Sequence, residues 1–472
     1  MIITRPSLAL AAAGLALLAG CGGGGGPGGP SGATVASVNA HSAAPRTPPQ
    51  GGFRNVVSFG DSLSDAGAYT LAAYSFYSPT HGAKAPFTYP YYYGGQFTVN
   101  GHDTSNWTVE LAHDLGLDLT PNLIGYDLLG IGTRYVRSDG SLSTDPAAAF
   151  CAFDSAPPGR PRECTNFAQG GARVAVERGI GHDQGALTYP VTSQLANYLQ
   201  QFQSFRPWQL LTVFAGGNDV LAAFDQALEG FRSAVSPAAV YHPALVPTQG
   251  PAPDDAQGQG QSQGLSQLQA QAASDGAGAA GVVPAQRAFA PPTPDAVVQA
   301  RATVRKAADD LAATVTTMLN HGARYLLVYT LPDASLTPFG RALDGTGSCD
   351  NRNPQAPCHL LSQLTKVFNQ RLLDNLDGKA VKVVDSYALL QREIAQPAAF
   401  GFTNTSTPWC DSVLTQESSL LCNVETPAAG QGAHTGNLQS WLFADGLHPT
   451  PAGHRVLSAH TQQAMRGFGW AL

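Results

Sequence analysis

Val56-Val57-Ser58-Phe59-Gly60-Asp61-Ser62-Leu63-Ser64-Asp65 is the stretch on which the reading of this chain turns. Its β-branched and aromatic run has the composition and length of a buried strand, and it stops at a glycine with a serine two residues later. In an open α/β sheet the carboxyl ends of the strands border the ligand crevice, and a sharp strand-to-helix turn there lifts a hydroxyl out of the core. Ser62 is thereby a candidate nucleophile. Gly, Asp and Ser are also ordinary turn formers, so the reading needs partners elsewhere in the chain.

Outward from this stretch, residues 209–215 form a second apolar run of strand length, ending in Gly216-Gly217-Asn218-Asp219. Residues 324–330 and 381–384 read as a third and a fourth strand. Helical patterns lie between and after them: 107–117, a long helix over 293–321 opened by a Thr cap and a Pro, 360–376, and a closing helix over about 452–466. Strands alternating with helices predict an α/β fold, a parallel sheet with helices on both faces.

The 472 residues are 43% hydrophobic and 12% charged, which suits a chain with one large core or two domains. The net charge of -7 comes without a concentrated Lys/Arg block, so no nucleic-acid partner is expected. Residues 1–20 carry an early Arg5, an apolar run and small residues before Cys21, the pattern of a signal peptide. Leu17-Leu18-Ala19-Gly20-Cys21 resembles the lipobox of bacterial lipoproteins, which implies acylation of Cys21, export, and a membrane partner through that lipid anchor. Gly22 after the cysteine points to the outer membrane; ordinary secretion is the alternative. Residues 21–52 are Gly, Pro, Ser, Ala and Thr with little to bury, hence an expected flexible tether and a domain over 53–472. Within it, 245–292 is a Gln/Gly/Ala-rich insertion without apolar periodicity.

Six cysteines follow Cys21 in three close couples, Cys151 with Cys164, Cys349 with Cys358, and Cys410 with Cys422. An even count in an exported chain favours disulfides, and pairing within couples closes the shortest loops. No Cys-x-x-Cys or Cys/His cluster of ligand spacing occurs, so no metal is expected.

Two further motifs matter. Asn166-Phe167-Ala168-Gln169-Gly170-Gly171-Ala172 pairs glycines that let backbone approach a bound group, and Asp445-Gly446-Leu447-His448-Pro449 places two side chains on one turn near the chain's end. With Gly60-Asp61-Ser62-Leu63 and Gly216-Gly217-Asn218-Asp219, four motifs stand in one order. In this the chain resembles the SGNH or GDSL family of serine esterases and lipases over nearly all of residues 53–472, the insertion apart. The resemblance implies a flavodoxin-like three-layer α/β/α fold with Ser62 as nucleophile, Asp445 and His448 completing the triad, and Ser62, Gly171 and Asn218 forming the oxyanion hole. It implies no cofactor, and an ester substrate. The segment from Gly95-Gln96-Phe97 to Trp107 resembles the family's lipase branch, with Gln96 where Arg is usual.

These residue types suit acyl transfer on chemical grounds. A serine hydroxyl needs a base during attack, a neutral imidazole can take and return that proton, and a carboxylate can hold the ring's other nitrogen. Hydrolysis of lipid or other acyl esters is the leading expectation. Transfer of the acyl group to another alcohol and a non-catalytic binding lipoprotein are the alternatives. With 24 residues after His448, the fused outer-membrane β-barrel of some relatives, each strand of which takes about 9–11 residues, is not expected.

Overall fold

β1 (Asn55–Gly60) is buried along its whole length and stands inside a parallel sheet. The computed structural model describes residues 32–73, 94–101, 104–127, 132–137, 141–149, 164–228, 292–410, 419–424 and 437–470. The expected signal segment, the lipidation site Cys21, Cys151, and the insertion up to residue 291 lie outside these residues.

Besides β1, the strands that bear on the site are β5 (Gln209–Phe214), β6 (Tyr325–Tyr329) and β7 (Lys382–Val384), in the spatial order β1-β5-β6-β7 and all parallel. β2 (Gly125–Asp127), β3 (Thr133–Val136) and β4 (Leu142–Ser143) form a separate small antiparallel sheet. The main strands are apolar nearly throughout because both sheet faces are covered. On the far side of β1, Thr165–Phe167 continues the sheet: Ser58 N donates to Thr165 O at 3.0 Å and Phe167 N to Ser58 O at 2.8 Å. Pro121 bridges to Asn166 outside that and is the outermost pairing on this side among the described residues, with no N–H to offer a further strand. The chain therefore reverses direction of spread at β1, and the carboxyl end of β1 is the topological switch point where α/β sheets bind ligands.

The helices fall into two packing groups. α5 (Pro294–Asn320) lies against α4 (Gly217–Ala227) and α7 (Pro357–Leu376), while α9 (Pro451–Gly467) lies against α2 (Trp107–Asp114) and α8 (Ser386–Ala395). The fold is the α/β three-layer arrangement. The remaining helices are α1 (Val35–His41), α3 (Val191–Phe202) and the short α6 (Pro338–Ala342). Thr293 caps α5 with Pro294 next, as its sequence signals. Disulfides join Cys349 to Cys358 and Cys410 to Cys422.

The tether expected over 21–52, and with it the domain start at Phe53, require correction, for the compact unit begins at Ala33. Thr34 and Ser37 form a reciprocal capping box that opens α1. Val38 is fully buried, and Trp470 Nε1 donates to Pro45 O at 2.6 Å. Asn39 meets the outer edge of β7 as a strand would: Oδ1 accepts from Val383 N at 2.7 Å and Nδ2 donates to Val383 O at 2.8 Å. Ser42 Oγ donates to Val381 O at 2.5 Å. The segment thus satisfies an edge that would otherwise present unpaired backbone groups. A chain starting at Phe53 is expected to melt several degrees below one starting at Gly32 and to aggregate more readily. Equal melting curves in a thermal scan of the two would refute this.

Candidate active site

The turn after β1 is held from three sides. Gly60 N donates to Gln194 Oε1 at 2.9 Å, and Gln194 Nε2 returns a bond to Gly60 O at 2.8 Å. Gln169 N also donates to Gly60 O at 3.2 Å. A side chain at position 60 is excluded, since its Cβ would lie 2.2 Å from Phe214 O on the neighbouring strand. Asp61 then accepts from Leu63 N at 3.2 Å, closing the tight turn that carries Ser62.

Ser62 Oγ lies 2.8 Å from His448 Nε2, a contact between residues 386 apart in sequence. His448 Nδ1 is 2.7 Å from Asp445 Oδ2 and 2.9 Å from Oδ1. With Nδ1–H donating to the carboxylate, Nε2 is left to accept from the serine. Both Asp445 and His448 come from the turn of a small closed loop. Ala444 N donates to His448 O at 2.7 Å, Phe443 pairs with Pro449, and Thr450 caps α9 immediately after. The ring of Phe97 packs beside that of His448, with centroids 5.1 Å apart.

Asp445 is 3% exposed and accepts four further hydrogen bonds. Leu447 N and His448 N reach Oδ1 at 2.8 and 2.7 Å, and Ser419 N and Oγ reach Oδ2 at 2.9 and 2.5 Å. Burial opposes the charge, but the His448 imidazole and these donors outweigh it and hold the carboxyl below the usual carboxylate range. Asp61 goes the other way. Burial pushes it up to about 7 against the pull of the Leu63 N–H and His448.

At the end of β5, Asn218 stands in the first turn of α4, and its Nδ2 donates to Ala172 O at 2.8 Å. A carboxamide nitrogen carries two protons, so one remains for a ligand. The adjoining Gly171 has φ 74°, and a Cβ there would lie 1.9 Å from Ile180 O. Asp219 secures the same loop, accepting from Arg173 Nε and Val174 N at 2.9 Å each. Burial raises Asp219, with the Arg173 guanidinium opposing. Asp65 links the first two motifs, accepting from Gly67 and Ala68 N–H on one oxygen and from Gly170 N at 2.9 Å on the other.

Ser62, Asn218 and His448 border a cavity of about 70 Å³ whose other walls are mainly apolar, among them Leu63, Val220, Leu221, Leu331 and Leu447. Gly171 does not line this cavity; its neighbour Ala172 is tied to Asn218 by the Nδ2 bond. Gln96 bridges two loops: its Oε1 accepts from Asn106 N at 2.9 Å and its Nε2 donates to Ala66 O at 3.4 Å. Ser419 and Gln194 are contacts that no motif announces in sequence, and Asp219 stands in a motif that gave it no role.

The family model described as GDSL-like lipase/acylhydrolase matches residues 56–274 and 291–461. An uncharacterized protein in the trpE-trpG intergenic region of Pseudomonas putida is 33% identical over 150 residues, 31% of this chain and 22% of that protein. A GDSL esterase/lipase of Arabidopsis thaliana is 33% identical over 144 residues, 29% of this chain and 38% of the relative. Esterase EstA of Pseudomonas aeruginosa is 31% identical over 143 residues, 29% of this chain and 19% of the relative. The match with these curated relatives thus spans less than half of their length.

Proposed function

The chain belongs to the GDSL-like lipase/acylhydrolase family, and we propose that it is a serine carboxylic-ester hydrolase working through an acyl-enzyme on Ser62. One observation carries this reading: Ser62 Oγ within 2.8 Å of His448 Nε2, with Asp445 on the ring's other nitrogen.

In the proposed cycle, Ser62 Oγ attacks the ester carbonyl carbon while His448 Nε2 takes the hydroxyl proton. Asp445 keeps the imidazole in the required tautomer and stabilises its charged form. The carbonyl oxygen becomes an oxyanion that the Ser62 and Gly171 N–H groups and the second Asn218 N–H receive. Collapse of the tetrahedral species breaks the bond to the alkoxide, which leaves as an alcohol with the proton from His448. A water then gives a proton to His448 and attacks the acyl carbon. The acid departs as Ser62 recovers its proton.

The apolar cavity favours substrates with a hydrocarbon group on the ester. The test is a panel of nitrophenyl esters from acetate to palmitate, together with a fluorophosphonate probe. Nitrophenol release, and probe found by mass spectrometry on Ser62, are expected. A purified protein that turns over no ester and takes up no probe would overturn the reading.

A further inference from the structure

Ser419 belongs to none of the four motifs, yet it touches the site more closely than most residues that do. It opens a single 3-10 turn, Ser419–Leu421, and is completely buried. Both of its donors converge on one atom, Asp445 Oδ2, at 2.9 Å from N and 2.5 Å from Oγ. The two donors on Oδ1 come from the loop's own backbone and arise whenever residues 445–448 turn. Those on Oδ2 are brought in from a segment 26 residues away.

That segment is itself held on two sides. Cys422 is bonded to Cys410, which anchors one end of the turn. Asn100 stitches the other side: its N donates to Cys422 O at 2.8 Å, its O accepts from Val424 N at 2.9 Å, and its Nδ2 reaches the carbonyls of Ser419 and Cys422 at 3.2 and 3.0 Å. Cys410 N in turn donates to Ala444 O at 2.9 Å, next to Asp445. Disulfide, asparagine and triad loop therefore close on Ser419 together.

On the reading given above, we propose that Ser419 is a positioning residue that orients Asp445 for His448, and that the Cys410–Cys422 disulfide keeps it in place. Without Ser419 Oγ, Asp445 Oδ2 keeps only the Ser419 N–H beside His448 Nδ1, so the carboxylate is held less firmly about χ2 and the imidazole on it loses part of its fixed direction towards Ser62. The hydroxyl donates to an ionised acceptor, the stronger class of hydrogen bond. Since Ser419 acts only through Asp445 and His448, its loss should reach the chemical step and leave substrate affinity alone.

Ser419→Ala keeps the N–H and removes only Oγ. It is expected to lower kcat about 10- to 100-fold on a nitrophenyl ester, with KM within about twofold of wild type. Cys410→Ser/Cys422→Ser is expected to lower kcat in the same way. Unchanged kcat in a folded Ser419→Ala protein, or a change carried by KM alone, would overturn the proposal. Should Ser419→Ala not fold, the double cysteine variant decides: full kcat with the disulfide gone overturns the proposal, and a kcat loss at constant KM supports it. A wild-type protein inactive on every ester would instead remove the hydrolase reading itself, so the two failures are distinguishable.

Discussion

Ser62→Ala and His448→Ala are each expected to lower kcat by roughly 10⁴- to 10⁶-fold on a small ester, and the double variant to be no more than a few times worse than either. Serine and imidazole act as one unit here: the hydroxyl is a poor nucleophile without the base 2.8 Å away, and without the serine no acyl-enzyme forms for the base to act on. Removing the second member after the first therefore removes nothing further. Rate above the uncatalysed reaction should persist in each variant, because the oxyanion donors and the cavity remain. Steady-state kinetics on protein freed of contaminating esterase, with circular dichroism to show intact folding, is the measurement. Independent losses that multiply in the double variant, or a Ser62→Ala enzyme with wild-type turnover, would place the nucleophile elsewhere.

Asn218→Ala is expected to lower kcat about 10²- to 10³-fold with KM nearly unchanged, since the donor it removes meets charge that exists only in the transition state. The geometry adds a second consequence. Asn218 Nδ2 also supplies Ala172 O, and its loss leaves that carbonyl unpaired beside Gly171. The variant should therefore lose about 1–3 kcal/mol of stability as well, visible as a lowered melting temperature. Asn218→Asp keeps the side-chain shape but turns the donors into acceptors, so it should lose at least as much activity. An Asn218→Ala enzyme whose defect lies in KM would show that Asn218 binds the ground state instead.

The family membership, and with it the likeness of Ser62, Asn218, Asp445 and His448 to motif positions, stood in the linear sequence. So did the four strands of the parallel sheet and the long helix capped at Thr293. Each of these depends on local pattern: apolar runs of strand length, cap residues, glycines at turns. The helix α1 was masked by its surroundings, because composition averaged over residues 21–52 hides seven helical residues and their Thr34–Ser37 capping box. Its reason for being ordered, the edge of β7, lies more than 300 residues away.

Tertiary structure alone decided what lies against what. A single strand pattern says nothing of its neighbours, so the order β1-β5-β6-β7, the Thr165–Phe167 edge and the switch point at β1 follow only from hydrogen bonding between distant segments. The same holds for Gln194 clasping Gly60 and for Ser419 on Asp445. Serine and glutamine are common and carry no motif, and their meaning comes from the group that they face. Sequence determines the chemistry that each side chain can perform. Folding determines which of those side chains stand within 3 Å of each other, because that distance is set by packing of the whole core and by no local rule.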